Sequence, residues 1–217
     1  MARGLHFVEI GGFDGEKYSN TLFLERERGW NGLLVEANPY TFQQMKRKDR
    51  ACYMAHACVS SQAESMHFKI AGSITAAAEI ITRQHATRLN NDVKVYGHLK
   101  QWEGSGSTEP VKCYRLEELM LGAVDLGQHI DFFSLDVEGA EMHILESISW
   151  DEVSIDAFMV EEEEGKTSHE AVNTLLQSKG FRQVAKLRWD TIYVANDIEC
   201  TPQNATHEQV VCRTRKP

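Results

Sequence analysis

Two apolar runs constrain the fold of this chain most. A glycine turn follows the first run, and an acidic residue follows the second. Residues 7–10 (FVEI) read as a buried strand, and residues 11–15 (GGFDG) follow at once. Glycines let the backbone turn tightly and let a ligand approach it closely. After a predicted helix, residues 32–35 (GLLV) form a second apolar strand that ends at Glu36. In Rossmann-like units an acid at this place accepts hydrogen bonds from ribose hydroxyls.

The details of the glycine turn separate two classes of cofactor. A dinucleotide pattern starting at Gly11 needs glycine at 13 and 16, where this chain has Phe13 and Glu16. This mismatch argues against a nicotinamide dehydrogenase. Glu9, Asp14 and Glu16 add negative charge, which repels a pyrophosphate and suits the sulfonium and ammonium of S-adenosylmethionine. The turn therefore favours a methyl donor, with a purely structural glycine loop as the alternative.

Composition fits one globular domain with a full core. The chain has 217 residues, 42% of them hydrophobic and 25% charged. Its net charge of −9 argues against nucleic acid as the main partner, because phosphate contacts need clustered Lys and Arg. No apolar stretch approaches the roughly 18 residues of a membrane span, and no signal peptide or common metal motif is present. The first predicted strand begins almost at the first residue, which leaves two interpretations open. The chain is a fragment, or it lacks an N-terminal anchor that its relatives carry.

Strand and helix patterns alternate along the chain. The predicted strands cover residues 5–10, 32–36, 52–59, 65–70, 111–115, 130–136, 155–161, 181–187 and 190–195. The predicted helices run from a cap at Ser19 or Asn20 to Arg28, from Asn38 and Pro39 to about residue 48, and over 73–89, 116–121, about 138–148 and 168–178. Such alternation implies an α/β fold with a mostly parallel sheet covered on both faces.

One segment interrupts this alternation. Residues 71–110 contain a glycine- and serine-rich stretch at 104–108 and read as an insert on the substrate side, with a surface excursion of no role as the alternative. We therefore predict a single domain over 1–197 and a polar C-terminal tail over 198–217.

The five cysteines bear on the compartment. Cys52, Cys58 and Cys113 fall in or near predicted strands and are expected to be buried thiols. Cys200 and Cys212 flank a polar stretch with the sequon at Asn204. A disulfide and a glycan there would indicate a lumenal or secreted protein. A loose tail on a cytoplasmic protein is the alternative.

Five segments together resemble the FkbM-type methyltransferases: 7–16 (FVEIGGFDGE), 19–22 (SNTL), 29–30 (GW), 32–39 (GLLVEANP) and 136–141 (DVEGAE). The likeness covers nearly the whole chain except 71–110 and the tail. The second to fourth segments are most similar to the animal branch that includes Star, a membrane-anchored trafficking factor. Phe13 and Glu16 depart from the bacterial loops.

The resemblance implies the Rossmann-like class I methyltransferase fold, with a seven-stranded sheet and an antiparallel closing hairpin. It implies S-adenosylmethionine as cofactor and O-methylation of a hydroxyl on a small molecule or glycan. Glu9 would anchor the methionine ammonium through water, Glu36 would hold the ribose, and the segment near Ser60 would face adenine. The expected cofactor-binding residues are Glu9, Gly11, Gly12, Asp14, Gly15, Glu36, Asn38, Ser60 and Asp136.

Methyl transfer to a hydroxyl needs positioning and a base. Asp136, at a predicted strand end over the crevice, is the first candidate, and Glu161 ends the next strand. Glu141 is expected to stabilise a helix start, and His143 to be packed or exposed rather than catalytic. A Star-like adaptor that keeps the fold without turnover is the alternative function.

Overall fold

The computed structural model describes residues 4–123, 126–161, 166–202 and 210–212. Its strands, in chain order, are β1 (His6–Ile10), β2 (Asn31–Glu36), β3 (Tyr53–His56), β4 (Cys58–Val59), β5 (Ser65–Lys69), β6 (Ala76–Ala77), β7 (Thr108–Tyr114), β8 (His129–Ile130), β9 (Phe132–Leu135), β10 (Ser154–Ile155), β11 (Ala157–Glu161), β12 (Phe181–Leu187), β13 (Asp190–Ala195), β14 (Cys200–Pro202) and β15 (Val210–Cys212). Its helices are α1 (Leu22–Arg28), α2 (Pro39–Met45), α3 (Arg83–Tyr96), α4 (Leu116–Gly122), α5 (Glu141–Ser147) and α6 (Lys166–Ser178), with 3-10 turns at Gly72–Ile74 and Lys100–Trp102.

Seven strands form the main sheet in the order β3-β2-β1-β9-β11-β13-β12. The strands from β3 to β11 are parallel, and β13 runs antiparallel to both β11 and β12. The predicted mostly parallel sheet with an antiparallel closing hairpin is therefore confirmed. Within the described residues, no helix is both long and apolar enough to cross a membrane.

Alternate residues of the central strands are buried on opposite faces of this sheet. Val8 and Val35 belong to the large core cluster on one face. Phe7 and Leu34 pack with Met45 of α2 on the other face. Side chains of a strand point alternately to its two faces, so a parallel sheet covered on both sides has apolar residues at most positions of its strands. The continuous apolar runs predicted these strands for this reason.

Two of the predicted helix boundaries are confirmed. Asn38 caps α2 by accepting the backbone N–H of Tyr40, and Pro39 occupies the first turn. Gly29 ends α1 in a left-handed conformation with φ of 66°.

The predicted start of α1 is wrong, because the helix begins after Thr21 rather than after Ser19 or Asn20. The hydroxyls of Ser19 and Thr21 both donate to the buried carboxylate of Glu9. They are therefore used in a tertiary contact instead of a helix cap.

A second sheet of four strands, in the order β4-β7-β5-β6, departs from two predictions. The predicted strand 52–59 breaks at Ala57, where β3 leaves the main sheet and β4 pairs with β7. The predicted helix 73–89 begins only after Thr82, whose hydroxyl caps α3 by accepting the N–H of His85. Ala76 and Ala77 instead pair with β5, so tertiary pairing overrides the helix propensity of alanine.

The prediction of three buried thiols is wrong for two of them. Cys58 and Cys113 form a disulfide with a Cα–Cα distance of 4.4 Å, since β4 and β7 place them opposite each other. Cys52 is a buried free thiol, as predicted, and burial raises its pKa to about 12. Cys200 is disulfide-bonded and lies opposite Cys212 in the β14–β15 pair. The sequon at Asn204 lies outside the described residues.

Candidate functional site

A cavity of about 380 Å³ opens at the carboxyl ends of β1, β2, β9 and β11. Chain order reverses between β1 and β9, and ligands of open α/β sheets bind at such switch points. Four of the residues predicted from sequence line it: Gly11, Glu36, Asp136 and Glu161. The other six lie beside the cavity and are not part of its lining: Glu9, Gly12, Asp14, Gly15, Asn38 and Ser60.

Gly11 lets the ends of β1 and β9 meet. Its φ is +89°, and a Cβ built there would lie 1.7 Å from the carbonyl oxygen of Asp136. The N–H of Asp136 in turn donates to the carbonyl of Ile10 at 3.1 Å. The floor of the cavity therefore depends on a residue without a side chain.

Gly11→Ala is expected to destabilise the fold by more than about 3 kcal/mol, because backbone strain and a clash act together. Gly29→Ala is the matched control, since Gly29 also has a positive φ, of +66°, but nothing lies within 4 Å of its Cβ position. That control should lose only about 1 kcal/mol. Urea unfolding measures both. Equal losses would contradict the close approach at Gly11.

Glu36 ends β2 as a buried carboxylate, 7% exposed, in the cavity wall. Its two oxygens accept the N–H groups of Phe13 and Asn38, each at 2.7 Å. Burial raises the pKa of Glu36 to about 7, although both hydrogen bonds act in the opposite direction. A carboxylate offers about four acceptor sites, so both oxygens keep capacity for ribose hydroxyls.

The turn after β1 holds two non-glycine residues in the left-handed region. Phe13 has φ of 49° and Tyr18 has φ of 66°. Both line the cavity, with their ring centroids 5.8 Å apart. Such conformations cost of order 1–3 kcal/mol each and cluster at ligand sites. The sequence gives no signal for them, because neither residue type favours a positive φ.

Glu9 holds the loop that precedes α1. Its carboxylate accepts hydrogen bonds from Ser19 Oγ and from the N–H of Asn20, both at 2.8 Å, and from Thr21 Oγ1. Burial raises the pKa of Glu9 despite these bonds. Asn20 lines the cavity and donates to Ser134 Oγ at 3.1 Å. Glu9 therefore positions a cavity residue, Asn20, without lining the cavity itself.

The remaining predicted loop residues shape the turn. Asp14 accepts the N–H groups of Glu16 and Lys17, and the N–H of Gly15 donates to Gly12 O at 2.9 Å. Glu16 forms ion pairs with Arg26 and Lys48. The negative charge inferred for this loop is thus locally neutralised, and other carboxylates supply the charge that faces the cavity.

Three carboxylates that follow or end the neighbouring strands β9 and β11 lie close together in the cavity wall. Oxygens of Asp136, Glu138 and Glu161 lie within 4.8 Å of one another. Burial, a hydrogen bond with Glu161 and the adjacent negative charges hold the pKa of Asp136 well above its usual range. Carboxyls with strongly perturbed pKa values cluster at functional sites. Three oxygens at this spacing could also hold a hard cation, a grouping that sequence spacing does not show.

Glu141 holds the turn that carries Glu138. It is buried, and its Oε1 accepts the N–H groups of Val137 and Gly139 at 3.2 and 3.1 Å. Burial raises its pKa to about 7. Its hydrogen bonds fix the turn that carries Glu138, so its contacts match the structural role predicted for it.

Several residues that line the cavity were not among the predicted site residues. His143 lines the cavity and contacts Ser60 Oγ at 3.1 Å, while Ser60 accepts two N–H groups of the following turn. Trp189 and Asp190 reach the cavity from the closing hairpin, and Arg88 reaches it from α3. The loop 72–75 contributes a further wall. These residues come from distant segments, so only the fold shows that they share one site.

Several solved structures are similar to this chain at low sequence identity. A methyltransferase FkbM from Methylobacillus flagellatus KT is 11% identical with a TM-score of 0.48, over 89% of this chain and 44% of that one. A human methyltransferase 10 domain containing protein is 12% identical with a TM-score of 0.40, over 89% and 72%. No curated protein matches the chain.

The chain thus spans less than half the length of that FkbM structure. The family model described as the methyltransferase FkbM domain matches residues 9–183. Because this match covers most of the 217 residues, the chain belongs to the FkbM methyltransferase domain family.

Proposed function

We propose that the protein is an S-adenosylmethionine-dependent O-methyltransferase. The observation that carries the proposal is that one cavity is lined both by Glu36, the acid expected to bind the ribose, and by the pair Asp136 and Glu161. Glu36 and Asp136 lie at the ends of strands two positions apart, which is about 10 Å at a strand spacing of about 4.8 Å. A ribose on Glu36 would thus place the sulfonium, one carbon away from the sugar, towards Asp136.

The other residues would have the following roles. Adenine would lie against Ala57, Cys58 and Val59, which line the cavity beside Glu36. The methionine end would extend along the Gly11 turn to Asn20, which Glu9 holds in place. Glu9 would then act on the ammonium through this loop.

The chemistry needs a hydroxyl oxygen in line with the methyl group. S-adenosylmethionine, when bound, would supply its methyl group to the acceptor oxygen, with the carbon–sulfur bond breaking as the carbon–oxygen bond forms, and would leave as S-adenosylhomocysteine. Asp136, in its ionised form, would take the hydroxyl proton, since it lines the cavity on the side expected for the methyl group. The protonated Asp136 would then donate a hydrogen bond to the carboxylate of Glu161, a contact that raises the pKa of Asp136.

Charge supports this donor over a dinucleotide. Glu138, Glu161 and Asp190 line the cavity, together with Glu36, which ionises with a pKa of about 7. A sulfonium near such carboxylates is attracted, whereas a pyrophosphate is repelled, by about 4 kcal/mol per pair at 4 Å and an effective dielectric constant of 20.

The mouth of the cavity supports a hydroxyl-bearing small molecule or glycan as acceptor. Trp189 and Tyr18 are 41% and 62% exposed and both line the cavity. Aromatic faces bind the apolar faces of small ligands, and the carboxylates behind them accept hydrogen bonds from hydroxyls.

A Star-like adaptor without turnover is the second candidate. The Cys58–Cys113 disulfide and the disulfide-bonded Cys200 favour an oxidising compartment, which fits a secretory-pathway location. Such a domain would bind S-adenosylmethionine without methylating any hydroxyl. Transfer of labelled methyl groups to a panel of sugars and polyols separates the two functions.

Binding of S-adenosylhomocysteine should weaken as pH falls below about 7. The pKa of Glu36 is about 7, and ribose hydroxyls donate to its ionised form. Protonation therefore removes acceptors, and affinity should fall by up to about tenfold per pH unit. Calorimetry from pH 5.5 to pH 8.5 measures the slope. Glu36→Gln is the control and should flatten it; a slope unchanged in this variant would contradict the assignment.

A further inference from the structure

The loop 72–75 faces the same cavity as Glu36, although it belongs to the second sheet. It connects β5 to β6, and Gly72, Ser73, Ile74 and Thr75 all line the cavity. The sequence alone placed residues 71–110 on the acceptor side. The contacts of this loop instead join it to the end of β2.

Asn38 makes that join with its side chain. The side chain is fully buried, and its Oδ1 caps α2 through the N–H groups of Tyr40 and Thr41. Its Nδ2 donates to Thr75 Oγ1 at 3.0 Å and to Gly72 O at 3.3 Å. One amide group thus bonds both the start of α2 and the loop.

Thr75 completes the frame of the loop. Its hydroxyl accepts the N–H of Ala71 at 3.0 Å and donates to Gly72 O at 2.9 Å. With the bond from Asn38, this hydroxyl has its donor and two acceptor sites in use. The loop therefore has a defined shape that depends on two side chains.

A second contact holds the added layer, which is the second sheet with its connecting segments, against α2. Gly104 has φ of +75°, and a Cβ there would lie 2.0 Å from the ring of Tyr40. Gly72 packs in the same way on the ring of Trp102, with its Cβ position 3.0 Å away. The layer is thus fitted to α2 at Gly104, and the contact of Gly72 with Trp102 packs the loop 72–75 within the layer.

Asn38 also contacts the proposed ribose acid. Its backbone N–H donates to Glu36 Oε1 at 2.7 Å. We propose that the loop 72–75 is the outer wall of the adenosine site and that Asn38 is the positioning residue that sets it against Glu36. This inference rests on the proposed function and assigns part of the added layer to donor recognition.

Hydrogen exchange tests the position of the loop without a known acceptor. With S-adenosylhomocysteine alone, amides of residues 71–77 should exchange about tenfold more slowly, because a bound adenosine covers them. The α3 segment at 83–96 is the internal comparison and should change less. Unchanged exchange at 71–77 under saturating ligand would overturn the proposal.

Two substitutions test the contact between Asn38 and Thr75. Asn38→Asp keeps the oxygen that caps α2, since Asp and Asn are equally good caps, but it removes the donor to the loop. Thr75→Val removes the matching hydroxyl at nearly constant volume. Each should weaken binding of S-adenosylhomocysteine and of adenosine by the same factor, about tenfold, because both ligands share the nucleoside.

Thr87→Val is the matched control, since the Thr87 hydroxyl bonds only Arg83 O among the contacts recorded for it, on the exposed side of α3. It should bind both ligands as the wild type does. Wild-type affinity in Thr75→Val, or an equal loss in Thr87→Val, would overturn the proposal while leaving the methyltransferase function intact. A wild type that binds neither ligand would reject both.

Discussion

Asp136→Asn is expected to lower the rate of methyl transfer by a factor of about 10²–10⁴, the usual contribution of a general base. The carboxyl lies at the end of β9 in the cavity, where burial and the adjacent carboxylates raise its pKa and so favour its protonated form after proton transfer. Asparagine has nearly the same shape but cannot take the proton. The measurement is transfer of labelled methyl groups to the best acceptor found.

The control for this prediction is binding. The Asp136→Asn variant should bind S-adenosylhomocysteine with an affinity within about tenfold of that of the wild type, because Glu36 is unchanged. Repeating the assay with EDTA distinguishes a base from a cation ligand, since a base works without a divalent ion. Near-wild-type turnover in Asp136→Asn would remove Asp136 from the mechanism.

Glu36→Ala is expected to weaken cofactor binding by about ten- to a hundredfold. Hydrogen bonds to a charged acceptor contribute about 1.5–3 kcal/mol, and about 1.4 kcal/mol corresponds to one decade in affinity. Alanine also leaves the N–H groups of Phe13 and Asn38 without their acceptor. The affinity loss should therefore come with some loss of stability.

Glu36→Gln separates these two effects. It keeps one oxygen acceptor and should cost less affinity than alanine. Titration of S-adenosylhomocysteine into the three proteins, with unfolding curves beside it, measures both quantities. If Glu36→Ala binds as tightly as the wild type, the ribose assignment is wrong.

Local patterns in the sequence were enough for the main sheet. Apolar runs such as 32–35 predict strands because a parallel sheet buries both faces, and the acid after such a run predicts a side chain at the carboxyl edge. Glu36, Asp136 and Glu161 all follow this rule, and the structure places all three around one cavity. Asn38 and Gly29 marked helix ends because their chemistry suits those positions.

Long-range pairing limited the rest. The Cys58–Cys113 disulfide joins residues 55 apart, and only the pairing of β4 with β7 brings them together. The helix predicted at 73–89 rested on alanine propensity, which the pairing of Ala76 and Ala77 with β5 overrides. The sequence also did not show that the carboxylate of Glu9 accepts hydrogen bonds from the loop before α1.

Calorimetric titration of S-adenosylmethionine and of NAD into the wild-type protein shows which of the two cofactors the cavity binds. We expect S-adenosylmethionine to bind at one site with a dissociation constant of about 1–100 μM, within the common range for enzyme substrates. We expect no binding of NAD, because the carboxylates around the cavity repel a pyrophosphate. Binding of NAD, or no heat from S-adenosylmethionine with folded protein, would contradict the proposed methyltransferase function.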